Sequence, residues 1–198
     1  SYPTEKGNEL ITMNQGVEDG MQLKVDGGNN WTTITNNQTN GGKIDEIAVS
    51  KSNPSVIYFS DGPNLYKTSD GGSNWSNINS GLPYKTIKYI AIHPNDPDKV
   101  WVVFSGYTSG EKVYKTLDGG SNWQNYSGTL PNIPVNTIVL DENSVTETLY
   151  IGTDLGVFIR DNTATDWSNF NNTSLPNVIV SELEIQYQSN KLIAATYG

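Results

Sequence analysis

Short alternating runs separated by turn residues make up most of the chain. Ile44–Ser50 alternates apolar and polar positions, Val56–Ser60 is rich in β-formers, Asn64–Thr68 alternates again, and Trp75–Ile78 follows a glycine pair. The same four-part phrase returns in Thr86–Ile92, Val100–Ser105, Lys112–Thr116 and Trp123–Tyr126. It returns once more in Val135–Leu140, Thr148–Gly152, Gly156–Ile159 and Trp167–Phe170. A two-residue period predicts strands, and no long window keeps a 3.6-residue apolar period without a Gly, Pro or Asn cluster breaking it. Turns fall at matching places. SNPS (52–55) and HPNDPD (93–98) follow first strands, and Leu82-Pro83, Leu130-Pro131 and Leu175-Pro176 follow fourth strands. Proline suits such loops and would remove a donor from a central strand.

The period of the phrase is set by tryptophan. Trp31, Trp75, Trp123 and Trp167 stand 44, 48 and 44 residues apart, preceded by KVDGGNNW (24–31), TSDGGSNW (68–75), TLDGGSNW (116–123) and the degenerate RDNTATDW (160–167). Repeats of this length built from four short strands predict an all-β fold, a β-propeller of four-stranded antiparallel blades. The expected units, within one propeller segment over 1–198, are a partial blade at 1–35, blades at 44–78, 86–126 and 135–170, and a partial blade at 178–198. Only three strands are expected before residue 36, around Leu10–Met13, Met21–Val25 and Trp31–Thr35. That makes seventeen in all, and the uneven count reads as an incomplete stretch, about four blades, of a larger propeller.

The tryptophan phrase resembles the Asp-box, or BNR repeat, Ser/Thr-x-Asp-x-Gly-x-Thr/Asn-Trp. Thr68, Asp70, Gly72, Asn74 and Trp75 match it, as do Thr116, Asp118, Gly120, Asn122 and Trp123; in the first copy Asp26, Gly28, Asn30 and Trp31 match, with Lys24 in place of the hydroxyl residue. The resemblance is to the sortilin/xyloglucanase-like superfamily, which includes sialidases, glycosidases, sorting receptors and noncatalytic secreted propellers. The Asn-rich style, ending in AATYG, is similar to secreted or surface propellers of Bacteroidetes-type bacteria. In such boxes the glycines permit positive φ, the Asp carboxylate accepts turn N–H groups, and the Trp packs back over the blade. The resemblance therefore implies structural roles for Asp26, Asp70, Asp118 and Trp167, with the other box residues, at the blade periphery.

Charge and composition remove several functions. Twelve Lys and Arg against 21 Asp and Glu leave a formal charge of −9, the wrong sign for displacing counterions from nucleic-acid phosphates or docking on anionic lipid. No apolar run is long enough for a membrane helix, so no membrane insertion is expected. There is no cysteine and one histidine, His93, which leaves little for a metal centre or a His-dependent triad, and no cofactor or resident metal is expected. Arg160 is the one arginine, whereas sialidase chemistry clamps a carboxylate with several guanidinium groups.

A glycosidase of the xyloglucanase kind asks for less: two carboxylates flanking a cleft, about 6.5–9.5 Å apart for inversion. Acidic residues occupy the loops between second and third strands: Glu18, Asp19, Asp61, Glu111 and Asp154. Asp61 and Asp154 are the catalytic alternative, with Tyr84 and Tyr107 as the loop aromatics for a sugar, although each also reads as a packing residue at a blade edge. Asn95 to Asp98 clusters oxygens for calcium, but the equivalent loop of the previous blade is a plain turn. The favoured expectation is a noncatalytic module of a secreted or cell-surface protein, a scaffold or adhesion platform with a protein or glycan ligand on the propeller face. Other chains or domains of the same larger protein are its expected neighbours.

Overall fold

The computed structural model describes residues 4–6, 9–14, 20–24, 32–34, 44–171 and 176–197. These form eighteen strands and no helix. The first sheet contains β1 (Thr4–Lys6), β2 (Glu9–Asn14), β3 (Gly20–Lys24) and β4 (Thr32–Thr33); the second, β5 (Glu46–Val49), β6 (Ile57–Asp61), β7 (Asn64–Thr68) and β8 (Ser76–Asn77). The third has β9 (Ile87–His93), β10 (Asp96–Phe104), β11 (Val113–Thr116) and β12 (Gln124–Asn125). The fourth has β13 (Val135–Leu140), β14 (Leu149–Thr153), β15 (Gly156–Arg160) and β16 (Ser168–Asn169), and the fifth pairs β17 (Ile179–Gln186) with β18 (Lys191–Tyr197). Spatial order follows chain order in every sheet, and neighbours are antiparallel. The inner strands β5, β9, β13 and β17 pack successively against one another. The fold is an all-β propeller with four-stranded antiparallel blades.

The first blade differs from expectation. It has four strands instead of three, because Thr4–Lys6 pairs antiparallel with β2 in the register Thr4↔Ile11 to Lys6↔Glu9. A three-residue polar strand offers no alternation to read, and only the Gly7-Asn8 turn signal separates it from β2.

Antiparallel hairpins put the β5–β6 and β7–β8 connections, and their equivalents, on one face of the propeller, and the β6–β7 and β8–β9 connections on the other. Hydrogen bonds join each set. On the box face, Gly71 N donates to Ser55 O and Gly119 N to Asp98 O; on the opposite loop face, Ile87 N donates to Gly62 O and Asn171 Nδ2 to Leu155 O.

Side chains of one blade divide between two seams. Ile47, Ile57 and Phe59 turn toward Ile34 of the first blade, whereas Ala48, Tyr58 and Leu65 join Ile87, Ile90, Val102 and Phe104 of the third. Ala91, Trp101, Val103 and Val113 meet Ile138, Leu149 and Ile151, and Val157 meets Val180 and Leu183. Alternation here sends side chains to two buried seams instead of to core and solvent. Trp101, only 1% exposed, fills the third seam between blades 3 and 4.

Phe104, fully buried between blades 2 and 3, tests this layering. Phe104→Ala is expected to lower unfolding free energy by about 3–5 kcal/mol. Urea melts followed by tryptophan fluorescence measure it, and a midpoint equal to the parent's refutes the seam assignment.

Candidate functional site: box turns, loop face and axial cavity

The second and third blades build the same turn from the same residues. Thr68 Oγ1 donates to Asp70 Oδ1 (2.7 Å) and accepts from Gly72 N (3.0 Å), while Asp70 accepts from Asn74 N (2.9 Å) and Asn74 Nδ2 (2.7 Å). Thr116, Asp118, Gly120 and Asn122 repeat this at 2.8, 3.0, 2.9 and 2.8 Å. Hydrogen bonds from the Asn side chain, the Asn backbone and the Thr hydroxyl hold the Asp70 and Asp118 carboxyls at about 2. Both carboxylates are occupied by their own turns.

Each tryptophan donates its indole N–H to the preceding blade, while the Trp75 ring also packs edge-on against Phe59 of its own blade, with ring centroids 4.8 Å apart. Trp75 Nε1 donates to Ile34 O (2.6 Å), Trp123 Nε1 to Ile78 O (2.9 Å) and Trp167 Nε1 to Tyr126 O (2.8 Å). Gly72 and Gly120, at φ +96° and +93°, lie against the same preceding residues. A Cβ on either would stand 2.6 Å from Ile34 Cβ or Ile78 Cδ1. The box is thus a hook between blades. The fourth copy rebuilds it: Asp161 accepts from Thr163 and Ala164 N–H groups, and Asp166 reaches Thr129 N and Oγ1 of the third blade. Arg160 lies across the Tyr126 ring at 3.7 Å. Asp26, Gly28 and Trp31 of the first copy, and Glu18 and Asp19, lie outside the described residues.

Asp61 and Asp154 both lie at the loop face but occupy different positions in their blades. Asp61 ends β6, paired with Asn64, and burial followed by nearby Asp45 raises its carboxyl above the usual range. Asp154 lies in the β14–β15 turn, accepting from Asn136 Nδ2 (3.0 Å) and Tyr107 Oη (3.4 Å). The loop of blade 3 separates their two blades, and these hydrogen bonds give them no common partner. Glu111 pairs with Lys85 at 2.5 Å. Tyr84 and Tyr107 are 84% and 70% exposed, so neither packs at a blade edge; loop position alone did not distinguish these outcomes.

On the box face, Asp98 pairs with Lys67 (2.6 Å), Pro97 O accepts from Tyr58 Oη, and His93 Nδ1 accepts from Asn95 N. Among the described residues no group of three or more His, Asp or Glu side chains is placed to hold a metal ion.

A cavity of about 940 Å³ lies between the inner strands. Its walls are mainly Ile, Val, Leu and Ala, and Lys51, paired with Glu142, stands among its lining residues. Polar side chains interrupt the apolar wall, among them Glu46, Tyr89, Glu182 and Glu184. Glu46, Tyr89 and Glu182 are the third residues of matching triplets, Ile44-Asp45-Glu46, Ile87-Lys88-Tyr89 and Val180-Ser181-Glu182, and Thr137 holds the same place in Val135-Asn136-Thr137 without lining the cavity. Thr137 Oγ1 donates to Glu182 Oε1 (3.3 Å), and burial, followed by the charges of Glu182 and Glu46, pushes the Tyr89 phenol up. Burial, followed by Glu182, raises the Glu46 carboxyl to about 8. Sequence reading missed these inner-strand positions, although the blade alignment contained their column.

The family model described as sortilin, neurotensin receptor 3, matches residues 23–129, more than half the chain. The chain belongs to the Sortilin-Vps10 family. No curated protein matches it closely in sequence. Among solved structures, it is similar to the extracellular domain of a putative one-component system from B. thetaiotaomicron (17% identity, TM-score 0.72), over 98% of this chain and 25% of that one. A GH74 enzyme from Niastella koreensis matches at 20% identity and TM-score 0.69, over 87% and 29%. YCF48 bound to D1 peptide matches at 18% and 0.61, over 96% and 58%. At these identities the likeness concerns the fold, and the chain spans about a quarter of the first two.

Two measurements test the hook. Trp75→Phe, which removes the Nε1–Ile34 bond, is expected to lose about 0.5–1.5 kcal/mol, and Trp75→Ala about 3–5 kcal/mol. Equal losses in chemical denaturation would show that the indole N–H contributes everything and the ring nothing. Because the Asp118 carboxyl titrates lower in the folded chain than in the unfolded one, its contribution holds above pH 3.8 and disappears as pH falls through about 2. Asp118→Asn should therefore flatten part of the acid-side fall in melting temperature, and an unchanged acid profile would contradict it.

Proposed function

We propose that this chain is a segment of a larger, noncatalytic propeller that acts outside the cell, secreted or at the cell surface, as a scaffold or interaction platform. The proposed blade units remain those expected over 1–198, with the first extended by β1. The observation that carries the reading is the occupation of the two described box carboxylates by their own turns, together with an opposite loop face that exposes Tyr84 and Tyr107. Box residues Asp70, Gly72, Trp75, Asp118, Gly120, Trp123 and Trp167 are then structural, and Asp26, Gly28 and Trp31 are proposed to be so by analogy.

The ligand side of the platform is the loop face. Exposed rings, with Asn132 Nδ2 donating to Tyr107 O and Asn136 and Asp154 nearby in the bonding network, suit a protein surface or a glycan, in keeping with adhesion or carbohydrate binding. Two structural neighbours, YCF48 bound to a peptide and an extracellular domain, support an interaction role.

The second reading is a portion of a two-carboxylate glycoside hydrolase. The raised Asp61 carboxyl and the likeness to GH74 enzymes favour it. A glycan array together with a hydrolysis screen on the full-length protein separates the two readings. Binding weakened by Tyr84→Ala or Tyr107→Ala, without turnover, is the expected result. Hydrolysis abolished by Asp61→Asn or Asp154→Asn would replace the first reading with the second.

A further inference from the structure

The loop between second and third strands is not the same size in every blade. The β6–β7 and β14–β15 hairpins turn in two residues, 62–63 and 154–155, closed by the pairs Asp61↔Asn64 and Thr153↔Gly156. In blade 3 the last paired position is Val103↔Val113, extended by Phe104 N donating to Lys112 O (2.9 Å), and seven residues, 105–111, cross the gap. They read Ser-Gly-Tyr-Thr-Ser-Gly-Glu and fall inside the longer, 48-residue tryptophan interval. Tyr107 supplies the one large apolar surface in the loop, and its ring is 70% exposed. Burial of hydrocarbon therefore does not hold the loop, and a Gly/Ser segment left to itself samples many shapes.

Hydrogen bonds hold it instead, and Lys112 stands at their centre. Its main chain belongs to the blade: Lys112 N donates to Ser127 Oγ (2.9 Å), and Lys112 O accepts from Phe104 N. Its side chain turns into the loop, where Nζ donates to Gly106 O (2.5 Å) and to Asn132 Oδ1 (3.1 Å). Asn132 Nδ2 then donates to Tyr107 O (2.8 Å), so two consecutive loop carbonyls are held by one linked pair of side chains. Three further ties come from other elements: Asn125 Nδ2 to Gly110 O (2.6 Å), Lys85 to Glu111 (2.5 Å), and Tyr107 Oη to Asp154 Oδ2 (3.4 Å). Lys112 itself is only 1% exposed. Burying an ammonium is costly unless its N–H groups are satisfied, and here loop and linker groups satisfy them. Bonds from a charged donor are also roughly twice as strong as neutral ones.

We propose that Lys112 is a positioning residue for the loop face: its buried ammonium, acting with Asn132, keeps loop 105–111 in one shape before any partner arrives and so fixes where the Tyr107 ring is presented. A loop ordered in advance loses little conformational freedom on binding, which is how preorganisation raises affinity. The positioning rests on the geometry alone. Its consequence for binding rests on the reading of the loop face as an interaction platform.

The experiment digests the folded chain with chymotrypsin under native conditions. Mass spectrometry reads cleavage after Tyr107 relative to cleavage after Tyr187, which lies in the β17–β18 turn on the box face. Local opening of the loop raises the first rate, whereas general loss of stability raises both together. Lys112→Met, which keeps the aliphatic stem and removes the ammonium, is expected to raise the ratio at least roughly tenfold. Asn132→Ala should raise it similarly, and the double variant should add little to the larger single effect, because the two side chains act as one unit. On a glycan array, any binding that Tyr107→Ala abolishes should weaken in Lys112→Met as well. An unchanged ratio in Lys112→Met, a rise shared equally by Tyr187, full additivity, or Tyr107-dependent binding left intact overturns the proposal. If the parent binds nothing on the array, the glycan form of the platform reading fails, and the cleavage ratio still decides the role of Lys112. Should Lys112→Met fail to fold, Lys112→Gln replaces it: a raised ratio supports the proposal and an unchanged one overturns it.

Discussion

A sheet with apolar side chains on both faces cannot stand alone in water, and every central blade here is such a sheet. The β5–β6 pair sends Ile47, Ile57 and Phe59 to one neighbour and Ala48 and Tyr58 to the other. Burying a side chain of this size is worth roughly 1.5–3 kcal/mol, so stability resides in the seams between blades rather than within any blade. The neighbouring blade provides what each sheet lacks. The radial order of inner strands and the turns at the rim all serve that requirement.

The box turns meet this constraint at the periphery, where outer strands are only two residues long and seams are open to water. An indole N–H donated to the preceding blade, with a side-chain-free glycine pressed against the same residue, closes the outer end of the seam. This arrangement accounts for the spacing of the motif. The turn must present glycine and tryptophan together, and the Asp and Thr side chains hold the backbone in that shape. The fourth copy keeps the tryptophan bond while replacing the turn chemistry, which shows that the contact to the neighbour and the internal turn network are separable.

The centre of the propeller has the opposite character. Inner strands pack side by side around a cavity lined by both apolar and acidic side chains, and Thr137 of one blade donates to Glu182 of the next. The loop face adds exposed aromatic rings beside hydrogen-bonding side chains. Rim, axis and loop face thus carry distinct chemistry on one repeated backbone, and the rim carboxylates are already committed to holding it together.

The sequence alone determined the strand class, the four-strand repeat and the location of the box, because two-residue alternation and glycine-flanked turns are local signals. It left β1 invisible, since Thr4–Lys6 is too short and polar to alternate, and its pairing with β2 is a matter of backbone hydrogen bonds. It marked Asp70 and Trp75 as box members, yet the destination of the indole, Ile34 of another blade, lies 41 residues away. Tyr84 and Tyr107 were legible as loop aromatics but not as exposed ones. Glu46 and Glu182 could be placed on inner strands from their pattern. Only the tertiary structure brought them to one cavity, because the side-by-side packing of inner strands from successive blades joins positions that no local period connects.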